Sequence, residues 1–434
     1  MYMRKRRIAA GLLAGVLVIG GQQVWAATTH YNDSSVTGGS QAWQQWVADW
    51  NQTATDFTKV SLTPGGAASE LNFAWYSEGN EPTPVVYFGT DKDNLEACQG
   101  TASNVDTSLT GGKAYSYNYV TVGGLKENTT YYYSVEKSGV RTPAEVYKTG
   151  SFENVKILYV GDPQVGASKG QPQGEGKLSA DSGVANTAAR NDGFAWDRTL
   201  DAALAQNPDL NFVISAGDQV NKTGKPKEEE YAAYLSADAL KNIPVATTIG
   251  NHDSLNKDYS YHFNKYDIDV VLQGHDHTYS RSKILYGDGK THGSYEFRLD
   301  ETGLDYDWDH AYNKNTGDSI TLNPLSSDTA AVEAKDAFTA DNKCYTIESS
   351  GKSVVTNPKG TLYMTANSAS GSKYYELINS QQDYIEVRSQ NWLPSYSVID
   401  LTKDDFKITT YQITDEGKVE NIDNTFTIHK TVIR

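Results

Sequence analysis

Cysteine is scarce in this sequence. Cys98 and Cys344 are the only two among 434 residues, and neither lies near a chemical motif. A disulfide has strict geometric requirements, so two isolated cysteines in different predicted regions do not predict one. The fold must therefore be held by hydrophobic cores, for which a chain of this length is sufficient.

Basic residues are also in deficit. The chain has 38 Lys and Arg against 54 Asp and Glu, which gives a formal net charge of −16. Without the four basic residues at positions 4–7, the net charge is −20. Such an acidic protein repels nucleic acid and anionic lipid, so no nucleic-acid partner is expected.

Long apolar runs are missing, with one exception at the N-terminus. Residues 8–21 are apolar, follow Arg4–Arg7 and precede Val24-Trp25-Ala26, which has small residues suited to cleavage. This pattern predicts a signal peptide over residues 1–26, because the run is short for a membrane span. The alternative is an uncleaved anchor. We expect a secreted protein with no membrane span after signal removal.

Two regions follow the signal. Residues 27–56 are predicted to be a polar leader with a short helix, since Trp43, Trp46 and Trp50 recur at helical spacing. Residues 57–152 alternate between apolar and polar side chains, as in Leu71–Trp75, Tyr115–Tyr119 and Tyr131–Val135, with glycine-rich turns between the runs. This alternation predicts a β-sandwich.

Residues 153–434 have a different pattern. A continuous apolar run at Val155–Val160 predicts a strand that is buried on both faces. A helix follows, for which Asn191 and Asp192 are the predicted caps, and then two more strands near Phe212–Ile214 and Val245–Ile249 separated by a second helical segment. This order predicts a parallel or mixed sheet in an α/β domain, whose ligands bind at the carboxyl ends of the strands.

Each predicted strand end carries glycine and then a residue type that binds metals. The four segments are Gly161-Asp162, Gly217-Asp218, Gly250-Asn251-His252-Asp253 and Gly274-His275-Asp276-His277. Glycine permits a sharp turn and a close approach of the backbone. Asp, Asn and His together suit divalent first-row metals, and a shared carboxylate can hold two ions. In an extended segment, His275 and His277 would project to the same side.

This ordered set resembles the calcineurin-like metallophosphoesterases, and Ser61–Gly65 with Leu71–Trp75 resembles the N-terminal domain of purple acid phosphatases. The resemblance resumes near residues 360–375. It implies an N-terminal β-sandwich, fibronectin type III-like, plus an α/β metallophosphoesterase sandwich domain. It also implies hydrolysis of small phosphate monoesters by a hydroxide held on two metal ions.

The same resemblance implies a role for each motif residue. Asp162 and His277 would bind the first metal, and Asp218 would bridge both. Asn251 and His275 would bind the second metal. Asn251 would also touch the substrate phosphate, and His252 would act as general acid or charge stabiliser beside the leaving-group oxygen.

Two departures from the family pattern concern the first metal. Gln164 stands where the wider superfamily has histidine, and Asn221 stands where purple acid phosphatases have the tyrosine that gives their colour. We therefore predict a colourless protein that uses divalent Mn, Fe, Zn or Mg.

A third departure is a gap. Only the segment 253–274 separates His252 from His275, and it is too short for the family's intervening unit of strands and helices. The domain is thus incomplete between 254 and 268, and a second-metal histidine is missing. His262 lies in this segment but does not map onto the motif. The gap is expected to expose sheet edges and apolar surface. Residues 283–357 form an acidic insert.

These departures leave two hypotheses. The first is a secreted metal-dependent phosphoesterase with two divalent ions, or with only one retained. The second is a non-catalytic exported binding protein whose second metal site was lost with the missing segment.

Overall fold

The computed structural model describes residues 41–79, 83–109, 112–168, 185–222, 228–248, 250, 268–287, 295–299, 310–321, 328–378 and 381–431. The predicted signal peptide, and Asn251, His252 and Asp253, lie outside the described residues. Within the described ranges, no helix has both the length and the apolar character needed to cross a membrane. Cys98 and Cys344, whose pairing the sequence left open, are free cysteines in the structure.

The first element among the described residues is helix α1 (Gln41–Thr53). Its tryptophan stripe is a packing face, as predicted. Trp43 is buried, and its ring meets the edge of Phe194 at 5.1 Å between centroids. The indole N–H of Trp46 donates to the carbonyl of Arg190 at 2.8 Å. The leader helix is therefore attached to the second domain.

Within the described residues, the first domain contains nine strands in two antiparallel sheets. Their bounds are β1 (Ser61–Pro64), β2 (Leu71–Glu78), β3 (Val85–Gly89), β4 (Glu96–Gln99), β5 (Thr101–Asn104), β6 (Tyr115–Val122), β7 (Thr130–Lys137), β8 (Val140–Arg141) and β9 (Glu145–Lys148). One sheet has the order β1-β2-β6-β5, and the other has the order β4-β3-β7-β8 with β9 also on β7. A single 3₁₀ turn, Thr107–Leu109, precedes β6.

The sandwich core follows the predicted alternation. Leu71, Phe73 and Trp75 are fully buried between the two sheets, as is the run beginning at Tyr131. The tyrosines of β6 face outward, because the residues that alternate with them, such as Asn118, are buried on the inner face of the sheet. Period-two alternation fixes the two faces of a strand but does not say which face is buried when both carry large side chains.

The second domain contains sixteen strands and three helices within the described residues. The strands are β10 (Val155–Val160), β11 (Phe212–Ala216), β12 (Val245–Thr248), β13 (Val270–Gln273), β14 (Tyr279–Ser282), β15 (Ile284–Gly287), β16 (Tyr295–Glu296), β17 (His310–Asn313), β18 (Ser319–Thr321), β19 (Tyr345–Ser349), β20 (Val354–Thr356), β21 (Leu362–Thr365), β22 (Ile385–Ser389), β23 (Ser395–Leu401), β24 (Asp405–Ile413) and β25 (Val419–His429). The helices are α2 (Ala185–Gln206), α3 (Glu228–Tyr234) and α4 (Thr329–Asn342), and a 3₁₀ turn spans Asp238–Lys241.

Two sheets organise this domain. A seven-stranded sheet has the order β12-β11-β10-β23-β24-β25-β20, and a four-stranded sheet has the order β13-β21-β14-β22. Strands β10, β11 and β12 are parallel, whereas β10 and β23 are antiparallel. The predicted mixed sheet is therefore confirmed.

Strand β10 is buried on both faces, as its apolar run predicts. Leu158 and Val160 pack beneath α2, with Trp196 at the centre of that core. Ile157 and Tyr159 face the opposite way, into a second core shared with the four-stranded sheet. The layers are thus helices, seven-stranded sheet and four-stranded sheet.

A buried ion pair joins the two sheets. The guanidinium of Arg281 on β14 donates from Nε to Asp423 Oδ2 on β25 at 2.6 Å and from Nη2 to Oδ1 at 3.2 Å. The hydroxyl of Tyr279 donates to the same carboxylate at 2.6 Å. This pair therefore helps to fix the position of one sheet against the other.

The prediction of helix caps at Asn191 and Asp192 is wrong. Helix α2 begins at Ala185, so both residues lie inside it. Asp192 is fully buried and accepts hydrogen bonds from the backbone N–H groups of Gly166 and Ser168 at 2.8 and 3.1 Å. Its carboxylate thus stabilises the loop after β10 instead of a helix end.

The expected exposure of sheet edges and apolar surface stays a prediction, because residues 251–267 lie outside the described residues. Strands β12 and β13 stand at sheet edges among the described residues. Thr247 and Thr248 are the exposed residues of β12, and Val270 and Leu272 of β13 are partly exposed.

Candidate metal centre

The carboxyl ends of the parallel strands bring two aspartates to one edge of the seven-stranded sheet. Asp162 follows β10 and Asp218 follows β11, and both side chains are almost fully buried. Two backbone bonds join the loops after these strands, from Gln164 N–H to the Asp218 carbonyl at 2.7 Å and from Val165 N–H to the Gln219 carbonyl at 3.1 Å. Two buried carboxylates at one sheet edge favour a bound cation.

The histidine segment after β13 meets this edge. The backbone N–H of His275 donates to Asp162 Oδ2 at 2.5 Å. The segment is a turn rather than an extended strand, since the N–H of Asp276 bonds to the Gly274 carbonyl at 3.1 Å. The prediction that His275 and His277 project to one side is therefore wrong: His275 is exposed and His277 is buried.

Glycine is required where the strand ends meet. A Cβ atom on Gly250 would lie 2.1 Å from Asp218 Oδ1. A Cβ atom on Gly274 would lie 2.2 Å from the carbonyl oxygen of Ala216 and 2.6 Å from Asp162 Oδ2. Each aspartate thus lies in the space left by the glycine of the neighbouring segment, which is the close approach expected from the motif spacing.

Replacing Gly274 with alanine should destabilise the protein and disturb Asp162. The new methyl group would overlap a backbone oxygen that cannot rotate away, and overpacking of this kind costs about 1–3 kcal/mol. Chemical denaturation of Gly274→Ala measures the loss. The matched control is Gly123→Ala, whose Cβ would have Glu70 Cγ as its nearest neighbour at 3.8 Å. Equal stability of the two variants would contradict the close approach.

Backbone strain is concentrated in the same motifs. Nine described residues other than glycine have positive φ angles, and five of them are Asp162, Gln164, Asp218, His275 and His277. Such conformations are costly for residues with a side chain and persist where the surroundings enforce them, often at functional sites. The strain supports a functional interpretation of the three segments after β10, β11 and β13.

His277 is held in the tautomer that suits a metal ligand. Its Nδ1 lies 2.8 Å from the carbonyl oxygen of Lys373, which can only accept, so Nδ1 carries the proton. Nε2 is then the ring nitrogen with the lone pair. The side-chain amide of Gln390 donates to the His277 carbonyl at 2.6 Å and fixes the backbone.

A serine loop supports Asp162. Ser370 and Ser372 donate from their hydroxyls to the carbonyl of Pro163 at 2.5 and 3.3 Å, and Ser368 donates to the carbonyl of Asp162 at 3.4 Å. All three serines are fully buried. The sequence placed Ser370 and Ser372 in the region where the family resemblance resumes, but it gave these serines no role.

The two departures from the family pattern contact each other. Gln164 is fully buried, and its amide Nε2 donates to Asn221 Oδ1 at 3.3 Å. Gln164 Oε1 has no hydrogen-bond partner among the described atoms. An unpaired buried oxygen beside two buried carboxylates fits a divalent cation in donor type, because hard cations prefer oxygen ligands.

The described residues do not complete a ligand set by themselves. Within the ranges given above, no three His, Cys, Asp or Glu side chains lie close enough together to hold a metal ion. Asn251 and His252 lie outside these ranges. The donor chemistry therefore fits a divalent metal, and a full set requires residues beyond those described.

A buried carboxylate supports the loop after β11. Glu230 accepts from the backbone N–H groups of Asn221 and Lys222 at 3.0 and 2.8 Å. Burial raises the pKa of the Glu230 carboxyl to about 7; the negative charge of Asp192 adds to the rise, and the two N–H donors partly oppose it. The folded state thus holds this proton more tightly than the unfolded state does.

We expect stability to fall as pH rises from about 4.5 to about 7. Stabilisation by protonated Glu230 is complete below its ordinary pKa and is lost as pH rises through the folded value, a change of at most about 3 kcal/mol. Glu230→Gln keeps an acceptor for the two N–H groups and should remove the part of this pH dependence that comes from Glu230, leaving the part from Asp197, whose carboxyl pKa burial also raises to about 7. Unfolding measured at pH 5 and pH 8 tests it.

Glu348→Gln serves as the matched control for that measurement, because Glu348 is an exposed carboxylate that accepts from the N–H groups of Lys359 and Gly360. A pH dependence that survives unchanged in Glu230→Gln would show that another group is responsible.

Comparison with known proteins supports the geometry. The profile of the purple acid phosphatase N-terminal domain matches residues 57–152, and that of the calcineurin-like phosphoesterases matches residues 155–266. The second match ends before the segment Gly274–His277. No curated protein sequence matches this chain.

Solved structures give one informative likeness. A purple acid phosphatase isolated from yellow lupin (Lupinus luteus) seeds has a TM-score of 0.51 at 10% identity, over 86% of this chain and 74% of that one. Vacuolar protein sorting 29 from Cryptosporidium parvum has a TM-score of 0.24 at 12% identity, over 63% and 98%. Vps29 from Chaetomium thermophilum also scores 0.24 at 12% identity, over 64% and 100%. The likeness to the lupin enzyme bears on the fold alone. The TM-scores of the other two structures are too low to support any argument.

Proposed function

We propose that this chain, which matches the family models of the purple acid phosphatase N-terminal domain and of the calcineurin-like phosphoesterases, is an exported enzyme that hydrolyses small phosphate monoesters with two divalent metal ions. One observation carries the proposal. The buried carboxylates of Asp162 and Asp218 lie at the same edge of the sheet, and the backbone of His275 is hydrogen-bonded to the first of them. Export is inferred from the N-terminal sequence pattern alone.

The ligands are assigned by motif. Asp162 and His277 hold the first ion, Asp218 bridges both, and Asn251 and His275 hold the second. The buried Gln164 offers its unpaired amide oxygen to the first ion. Mn, Fe, Zn and Mg all accept such a set of oxygen and imidazole donors.

A pair of bound divalent ions neutralises the charge of a phosphate and provides a nucleophile at neutral pH. The chain's own residues position the ester and handle the leaving group. Asn251 contacts the phosphate, and His252 donates a proton to the leaving oxygen or stabilises its charge. Asp218 would be the ligand shared by the two ions.

The competing proposal is a non-catalytic binding protein. It is favoured by the missing segment before His275 and by the failure of the described residues to bring three ligands together. The two proposals differ in turnover, since only the enzyme hydrolyses p-nitrophenyl phosphate above a blank that contains metal alone.

His252→Ala tests the enzymatic proposal. Loss of a general acid should lower turnover on the order of 10²–10⁴-fold with little change in stability. His429→Ala is the matched control, because His429 is partly exposed, bonds to Asp405 and lies at the end of β25. Unchanged turnover in His252→Ala would reject the assigned mechanism.

We also expect the metal-loaded protein to be colourless, and a strong visible charge-transfer band would reject that expectation.

A further inference from the structure

A large cleft lies on the outer face of the four-stranded sheet, and we call it the sheet cleft. Its volume is about 800 Å³, within the range of small-molecule sites. Pleat alternation turns Leu362 and Met364 into the core between the sheets and leaves Tyr363 and Thr365 facing the cleft. The floor is polar and is completed by Gln273, Ser280, Ser282 and Arg388.

The acidic insert builds one wall of the sheet cleft. Strands β15 and β19 pair with each other and contribute Leu285, Tyr286 and Tyr345 to the lining. Tyr384 also lines the cleft, and its ring meets the edge of Tyr345 at 5.5 Å between centroids. Tyr286 is 42% exposed, so its ring remains accessible to a ligand.

One end of the sheet cleft reaches the candidate metal centre. His275 and Asp276 line the cleft, and the backbone of His275 is bonded to Asp162. A phosphate held at the strand ends would therefore direct its ester oxygen and alcohol group along the sheet face.

The lining is nearly neutral in charge and rich in rings. Arg388 is the single cation among the lining residues, all of which the structure describes, and it already donates to the carbonyl of Ile378 at 2.8 Å. Asp276 and Glu376 are the anions. A second phosphate would find little attraction here, whereas tyrosine faces and short hydroxyl and amide groups suit an uncharged planar ring with polar substituents.

We propose that the sheet cleft binds the alcohol portion of the substrate, and that this portion contains a planar aromatic ring with hydrogen-bonding groups, as in a nucleoside or a tyrosyl side chain. The inference rests on the proposed phosphatase function for its orientation, but binding of the dephosphorylated alcohol does not depend on hydrolysis.

Hydrolysis provides the first test. The kcat/KM for adenosine 5′-monophosphate and for phosphotyrosine is divided by that for glycerol 2-phosphate. We expect at least one ratio to exceed about 10, and Tyr286→Ala to lower it about fivefold through loss of ring contact. The matched control is Tyr76→Ala, since Tyr76 is 43% exposed on the outer face of the first domain. The two aromatic esters distinguish a nucleoside site from a tyrosyl site.

Binding provides the second test and separates this inference from the proposed function. Adenosine and N-acetyltyrosinamide are titrated by calorimetry into the metal-free wild-type chain, Tyr286→Ala and Ser280→Phe, which fills the cleft floor. Saturable binding of either compound that both variants weaken supports the sheet cleft, even if no ester is hydrolysed. Absence of binding by both compounds overturns it, even if all three esters are hydrolysed at equal rates.

Discussion

Asp218→Asn is expected to lower turnover of phosphate monoesters on the order of 10²–10³-fold and to reduce the metal content of the purified chain. Asp218 is assigned as the bridging ligand, and its carboxylate is buried at the strand ends. Asparagine keeps the size and shape of the side chain but removes the negative charge that two cations would share. The backbone carbonyl that accepts from Gln164 is unchanged, so the loop should remain in place.

Asp197→Asn is the control for this experiment. Asp197 lies on helix α2 and accepts from the backbone N–H of Asp238 at 2.8 Å. Burial raises the pKa of its carboxyl to about 7, with a further contribution from Asp201. Metal content and turnover should stay at the wild-type level in this variant. If Asp218→Asn retained both as well, its carboxylate could not be a ligand.

Asp423→Ala should lower the free energy of unfolding by about 3–5 kcal/mol, because it leaves the charge of Arg281 buried without its partner. Arg281 and Asp423 are each 8% exposed, and their contact joins the four-stranded sheet to the seven-stranded sheet. The two sheets carry different parts of the candidate site, with His275 and His277 after β13 and the aspartates after β10 and β11. Loss of this pair should therefore also weaken metal binding.

Two further variants make that stability prediction specific. Asp209→Ala removes the partner of Lys156 from a more exposed pair and should cost less than about 1 kcal/mol. The double variant Arg281→Met/Asp423→Leu removes both buried charges and should recover part of the lost stability, since the hydroxyl of Tyr279 still loses its acceptor. A double variant as unstable as Asp423→Ala would show that packing, rather than the unpaired charge, is responsible.

The strands were predictable because their periodicity is local. The run at Val155–Val160 is apolar throughout and is buried on both faces, and Leu71, Phe73 and Trp75 alternate with polar residues and fill the sandwich core. The strand-end glycines were predictable for a similar reason. The space that Gly250 and Gly274 leave free is occupied by Asp218 and Asp162.

Contacts distant in the chain were not predictable. Asp192 has the residue type of a helix cap, but tertiary contacts place it within α2 as the acceptor for the loop at Gly166. Arg281 and Asp423 are 142 positions apart, and no local pattern links them. His277 was expected beside His275, but the turn after Gly274 separates their environments.

The outer face of the four-stranded sheet could not be identified from the sequence. Tyr363 and Thr365, which line the cleft, alternate with Leu362 and Met364, which pack in the core between the sheets. The alternation was visible in the sequence, but its meaning depended on knowing which face packs against the core. The polar face and the insert together form the sheet cleft.

The most direct test of the account is the number of metal ions per folded chain, measured by elemental analysis of mature protein purified without chelator. Close to two divalent ions per chain are expected in the wild-type protein, and both ions should be lost when Asp218 is replaced. A value near zero in folded wild-type protein would contradict the account, because the buried carboxylates of Asp162 and Asp218 would then have no cation to hold.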